Sequence, residues 1–143
     1  MTRALLDVNV LLALLDSDHV DHFRAQEWVG EGIPAGWASC AITENGFVRV
    51  ISQPRYPSPV APSAAIELLR SARDASDHEF WSCDLSVLDS DWVDATRVHG
   101  PRQVTDAYLL ALATARRGRL VTFDRRIPIA AVPGAEPERV EVL

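Results

Sequence analysis

Lysine is absent: all 14 basic residues of this 143-residue chain are arginine. That excludes a P-loop lysine, a Schiff-base lysine and a lysine-assisted phosphoaspartate site. Cysteine is scarce. Cys40 and Cys83 stand far apart in sequence, match no zinc or redox spacing, and are expected to be reduced, buried thiols. No apolar stretch reaches the ~20 residues that a bilayer-spanning helix needs. The first fifteen residues do not read as a signal peptide, because Asp7 and Asn9 interrupt the apolar region and no small-residue cleavage site follows. A cytoplasmic, membrane-free protein is expected. Positive charge is in deficit, with 20 acids against 14 bases and a net charge of −6. A passive nucleic-acid binder is more often basic, so any nucleic acid would have to be held locally or through a metal.

What is present is ordinary globular material, 48% hydrophobic and 24% charged. No repeat or low-complexity tract divides residues 1–143, which are expected to form one domain. Residues 4–7 (ALLD) read as a short buried strand, followed by a helix to about Leu15. A helix from about Val20 to Glu31 is expected, capped by Ser17 or Asp18. A second strand is expected over 34–38, then a helix from about Cys40 to Ile51 with Ser39 as a possible cap. Pro54, Pro57, Pro59 and Pro62 mark a loop, since proline removes backbone donors. A helix over about 63–75, a strand in "HEFWSCD" and a short helix in "SVLDSDWVDATRV" follow. "QVTDAYLLALATARRG" has apolar residues at helical spacing, with Gly118 as its stop. "RLVTFD" reads as another buried strand and "ERVEVL" as a short edge strand. Strands alternating with helices predict an α/β sandwich around a mostly parallel sheet.

The opening run "TRALLDVNVLLALL" holds Asp7 and Asn9 among apolar residues. A carboxylate there is costly to desolvate unless it is paired, caps a helix or binds metal. Asp7 ends the first strand and Asp124 ends "RLVTFD"; ligands of open α/β sheets bind outside such carboxyl ends. Glu44 and Asp106 fall early in their helices, so all four acids can lean toward one crevice. Each acid alone has a plainer reading as a cap, a helix-dipole partner or a turn residue. Together they would repel strongly, since two unit charges ~4 Å apart interact by about 4 kcal/mol at an effective dielectric of 20. A divalent cation removes that conflict, and all-oxygen donors favour Mg²⁺ or Mn²⁺. The chemistry implied is metal-assisted hydrolysis of a phosphate ester.

The blocks "LLDVNVLLAL", "TENGFVRV", "TDAYLLALA" and "LVTFD" resemble the PIN-domain ribonucleases, and more narrowly the VapC-type toxins of bacterial toxin–antitoxin pairs. The resemblance covers nearly the whole chain, in order. It implies a PIN-like α/β/α sandwich and a Mg²⁺- or Mn²⁺-dependent endoribonuclease. By motif position, Asp7, Glu44, Asp106 and Asp124 match the family's four acids, as catalytic and metal-holding residues, with Asp7 and Asp106 as the main ligands. Asn9 and Thr122 match small polar residues that orient them. RNA substrate, a cognate antitoxin whose tail fills the groove, and a homodimer are the implied partners.

Seven arginines lie between 97 and 126, and Arg102, Arg125 and Arg126 are the candidates for gripping RNA phosphates. His19 and His22 lack a third ligand nearby and read as a polar helix start; the four tryptophans read as packing residues, Trp28 and Trp81 above all. Two alternatives stand beside the nuclease. One is a PIN-like RNA-binding module without catalysis. The other is a haloacid-dehalogenase-like phosphatase, disfavoured by Asn9 where that family has a second aspartate and by the missing lysine.

Overall fold

The computed structural model describes residues 1–143. In chain order the elements are β1 (Ala4–Leu6), α1 (Val8–Leu15), α2 (His22–Gly30), β2 (Trp37–Cys40), α3 (Ala41–Ile51), α4 (Pro62–Asp74), β3 (His78–Trp81), α5 (Arg102–Ala115), β4 (Arg119–Thr122) and β5 (Val140–Val142). Three single turns of 3₁₀ helix interrupt the loops after β3 and β4. The five strands form one sheet in the order β3-β2-β1-β4-β5, and every pairing is parallel. The chain builds outward from β1 through β2 to β3, then returns to add β4 and β5 on β1's other side. The order therefore reverses between β1 and β4, where a crevice opens at the carboxyl ends.

The three central strands are buried along their whole length, as parallel strands covered on both faces must be. One face carries Leu5, Ala38 and Leu120 against the α5 residues 107–113. The other carries Ala4, Leu6, Trp37 and Val121 against Val10 and Leu11 of α1, Phe47 and Ile51 of α3, and Leu69 of α4. The expected α/β/α sandwich is thus observed, and the sheet is wholly rather than mostly parallel.

Local side chains moved several boundaries. The expected helix in 86–98 shrinks to one 3₁₀ turn, Ala95–Arg97. Ser86, Asp89 and Asp94 each accept a hydrogen bond from the backbone N–H two residues on, which holds the segment in successive turns. Helix α2 starts at His22 rather than Val20, because Asp16 accepts from the Asp18 N–H and His19 Nδ1 from the Asp21 N–H. The second strand covers 37–40, not 34–38, since Ala35 and Gly36 turn the chain at positive φ. A side chain at Gly36 would collide with the Asp77 carbonyl oxygen at 2.5 Å. Cys40, not Ser39, stands at the cap of α3, and its N–H donates to Thr43 Oγ1 at 3.0 Å.

Helix α5 also stops differently from expectation. Arg117 takes the left-handed conformation (φ 55°), while the N–H groups of Arg117 and Gly118 bond back to Thr114 and Ala113. This is a Schellman ending with an arginine at the position that favours glycine. Gly118 serves a different need, since a Cβ there would sit 2.4 Å from the Trp81 ring and 2.7 Å from the Arg3 carbonyl oxygen. Replacing Arg117 by Gly is expected to stabilise the protein by about 1 kcal/mol, raising Tm by about 2–4 °C in a melt at neutral pH. An unchanged or lower Tm would show that the arginine makes compensating contacts.

Candidate active site

Asp7 lies where β1 stops and α1 starts. It is 8% exposed. Its Oδ1 accepts from the Val8 N–H at 2.8 Å, capping α1, and its Oδ2 accepts from the Thr122 hydroxyl at 2.8 Å. The capping role and the site role are therefore filled by one side chain. Thr122, fully buried at the end of β4, ties the two sides of the switch point together. Its hydroxyl proton goes to Asp7, and its oxygen accepts from Asn9 Nδ2 at 3.2 Å and from the Asp124 N–H at 3.0 Å. Asn9 Oδ1 accepts from the Phe123 N–H at 3.3 Å. Asn9 and Thr122 thus fix where Asp7 and Asp124 stand.

Asp124 sits two residues beyond β4, and its Oδ1 closes a turn by accepting from the Arg126 N–H. Asp106 projects from the second turn of α5 and has neither a hydrogen-bonding nor a cationic partner. Burial, then the charges of Asp7 and Asp124, push its pKa up to about 6. Asp7 is also raised, chiefly by burial; the hydrogen bonds from Thr122 and Val8 oppose the rise, and Asp124 adds to it. Each of these causes disfavours accumulated negative charge, and Asp106 lacks even a hydrogen bond to offset it.

Asp106 and Asp124 form one wall of a depression of about 350 Å³, with His99, Gln103, Arg102 and Arg126 around it. Arg102 and Arg126 are therefore beside the acids, as expected; Arg125 is exposed and does not line the depression. His99 and Gln103 escaped the sequence reading. Their one signal is spacing, since they precede Asp106 at the start of α5 and join through a hydrogen bond from the His99 N–H to Gln103 Oε1.

Glu44 lines a different depression and is not among the charges that raise Asp7 or Asp106. Its Oε2 accepts from Ser39 Oγ at 2.6 Å, and His78 Nε2 lies 2.8 Å from the same hydroxyl. With the serine proton on Glu44, the imidazole N–H is the donor to Ser39. Burial is the main reason the His78 pKa falls, with Glu44 opposing it. Residue 39 points to the sheet face covered by α3 and α4, whereas Asp106 comes from α5 on the other face. The sequence could place Glu44 early in a helix but could not say which face that helix covers.

The three acids offer carboxylate oxygens to an ion, and His99 is the one imidazole lining the depression of Asp106 and Asp124. No three acidic, histidine or cysteine side chains of the chain stand close enough to chelate an ion directly. A hard divalent cation that keeps several waters matches such an open oxygen set better than zinc does. His22 makes its Nδ1 contact with the Ala13 carbonyl oxygen, and Cys40 and Cys83 are free thiols, Cys40 buried and Cys83 half-buried.

The PIN domain family model matches residues 4–133. Ribonuclease VapC44 of Mycobacterium tuberculosis (strain ATCC 25618 / H37Rv) is 64% identical over 141 residues, 99% of each chain. Ribonuclease VapC38 of the same strain is 45% identical over 122 residues, 85% of this chain and 84% of the relative. Among solved structures, DNA-bound VapBC from Salmonella typhimurium matches with a TM-score of 0.59 at 14% identity, covering 99% of this chain and 98% of that one. VapBC2 from Rickettsia felis, bound to a promoter DNA fragment, matches with a TM-score of 0.58 at 11% identity over 98% of each chain. With the family model spanning most of its length and a 64% identical ribonuclease alongside, this chain belongs to the PIN-domain family.

Proposed function

We propose that residues 1–143 act as one PIN domain, a metal-dependent endoribonuclease that is the toxin of a toxin–antitoxin pair. The observation behind this reading is the convergence of Asp7, Asp106 and Asp124 at the switch point, with Asp106 lacking any protein partner. The 64% identity to a protein named as a ribonuclease supports the same reaction.

Asp7, Asp106 and Asp124 are the residues to hold Mg²⁺ or Mn²⁺. Such an ion, when bound, lowers the pKa of water and stabilises charge on a phosphate. The protein's own part is positional. Thr122 and Asn9 hold Asp7 and Asp124 in place, so little reorganisation remains when substrate arrives. Arg102 and Arg126, on the rim, supply planar donors for phosphate oxygens. Glu44, standing apart with Ser39, is not placed among the ion's ligands in this mechanism.

A small antitoxin whose basic tail enters the acidic crevice is the proposed inhibitor, and a homodimer the proposed assembly, in the cytoplasm. No helix is long and apolar enough to cross a membrane. The test is cleavage of RNA by purified protein with Mg²⁺ or Mn²⁺, compared with chelator and with Asp7→Asn. The expected result is cleavage that requires both metal and Asp7. Equal cleavage by wild type and variant would sink the assignment. Induction in cells should arrest growth, with rescue by a co-encoded small partner; growth unaffected by active enzyme would remove the toxin role alone.

A further inference from the structure

A second depression, of about 620 Å³, lies between α3, α4 and the β2–β3 edge of the sheet. It is unlike the surface around it. The chain carries a net charge of −6, yet this depression is lined by Arg49, Arg70 and Arg73 together with His78, against one acid, Glu44. Glu44 is already engaged by Ser39, and Arg73 feels its charge. Arg49 has no acidic partner within ion-pair distance, whereas Arg70 and Arg73 have the exposed acids Glu67 and Asp74. Exposed pairs of that kind exchange readily for another anion, being worth about 0–1 kcal/mol.

The same face of the sheet carries an exposed aromatic ring. Phe80 is 52% exposed on β3, the edge strand. It lies directly across from Ser39 and two residues beyond His78, so it faces the same side as the depression. Arginines along a groove with an exposed ring beside them are the components that bind single-stranded nucleic acid, through phosphates and base stacking.

The register sets the relation to the acids. Leu5 pairs with Ala38, so Ser39 lies next to Leu6, one residue short of Asp7. Adjacent strands are about 4.8 Å apart, with about 3.3 Å per residue along each, which puts the Ser39 and Asp7 backbones on the order of 6 Å apart. A chain crossing the carboxyl edge of the sheet at Asp7 passes beside Ser39, which lines this second depression.

We propose that the α3–α4 depression is a second RNA subsite, taking a nucleotide removed from the cleaved bond: Arg49 and Arg73 hold its phosphate and Phe80 stacks on its base. This rests on the ribonuclease reading. Its test uses an end-labelled single-stranded RNA and the Asp106→Asn protein, so that binding is read without cleavage. Arg49→Gln with Arg73→Gln is expected to weaken binding about tenfold and to flatten the log–log salt dependence by about 1.4, two contacts at ~0.7 each. Arg49→Lys with Arg73→Lys should restore the slope. Phe80→Ala should weaken binding about tenfold and leave the slope unchanged, because stacking releases no counterions. In otherwise wild-type protein, the Gln pair should raise KM for a long RNA with kcat within about twofold. An unchanged salt slope and KM in the Gln pair, with Tm preserved, would overturn the subsite while RNA cleavage persists. No cleavage by wild type, with an arginine-dependent slope retained, would instead overturn the nuclease and keep the subsite.

Discussion

Replacing Asp106 by Asn is expected to reduce metal-dependent RNA cleavage by about 100-fold or more, because it removes one of the three charges proposed to hold the ion. The side chain keeps its shape, so a loss of this size reads as a loss of charge. The same substitution should make the metal-free protein more stable. Asp106 is raised to about 6 by burial and by Asp7 and Asp124, against an ordinary value near 3.8. Below about pH 4 the carboxyl is protonated in both folded and unfolded chains, and its contribution to stability is fully present. Between about pH 4 and pH 6 the unfolded chain ionises first, so stability falls as pH rises through the folded value. Asp7, raised as well, acts with the same sign. Asp106 is only half-buried, so after discounting for solvent screening the loss is about 1 kcal/mol. Urea unfolding across this range in chelator should show the fall in wild type and a flatter profile in Asp106→Asn. Added Mn²⁺ should raise the Tm of wild type and leave the variant nearly unmoved. A variant that keeps both the wild-type cleavage rate and the metal-induced rise would show that Asp106 does not face the ion.

The second large effect is expected at Thr122. Thr122→Val preserves volume and strand preference but removes the hydroxyl that donates to Asp7 and accepts from Asn9 and the Asp124 N–H. Buried groups left without partners cost about 1–3 kcal/mol, so Tm should fall by about 5 °C. Activity should fall by about 10- to 100-fold, the usual consequence of releasing groups that orient metal-holding side chains. Thr122→Ser keeps the hydroxyl and should recover most of both. If Val matched wild type in rate and Tm, the hydroxyl would be shown to be dispensable and the positioning argument would fail.

The acids were legible unevenly. Asp7 and Asp124 could be placed from sequence because each sits at a strand end, where chain direction leaves little choice, whereas Asp106, early in a helix, also depended on the face that helix covers. Asn9 and Thr122 were placed near them, but the hub at Thr122 was not readable, since it joins residues more than a hundred positions apart. Segment 86–98, expected to form a short helix, is rich in serine and aspartate side chains. Those side chains satisfy the backbone locally and stop the helix from starting. Gly118 was read as a helix stop when its necessity lies in the closeness of Trp81 and the Arg3 carbonyl.

By itself the sequence determined the alternation of strands and helices, and hence the class of sheet, since that follows from local apolar pattern and loop chemistry. It also raised the expectation of an oxygen-rich acidic site and excluded lysine chemistry. Only the tertiary structure decided which acids feel one another's charge. Glu44 and Asp106 both lie early in helices, but α3 covers one face of the sheet and α5 the other. Which face a helix covers depends on the crossovers that connect the strands and on what each apolar side packs against, and these are long-range choices that no local pattern encodes.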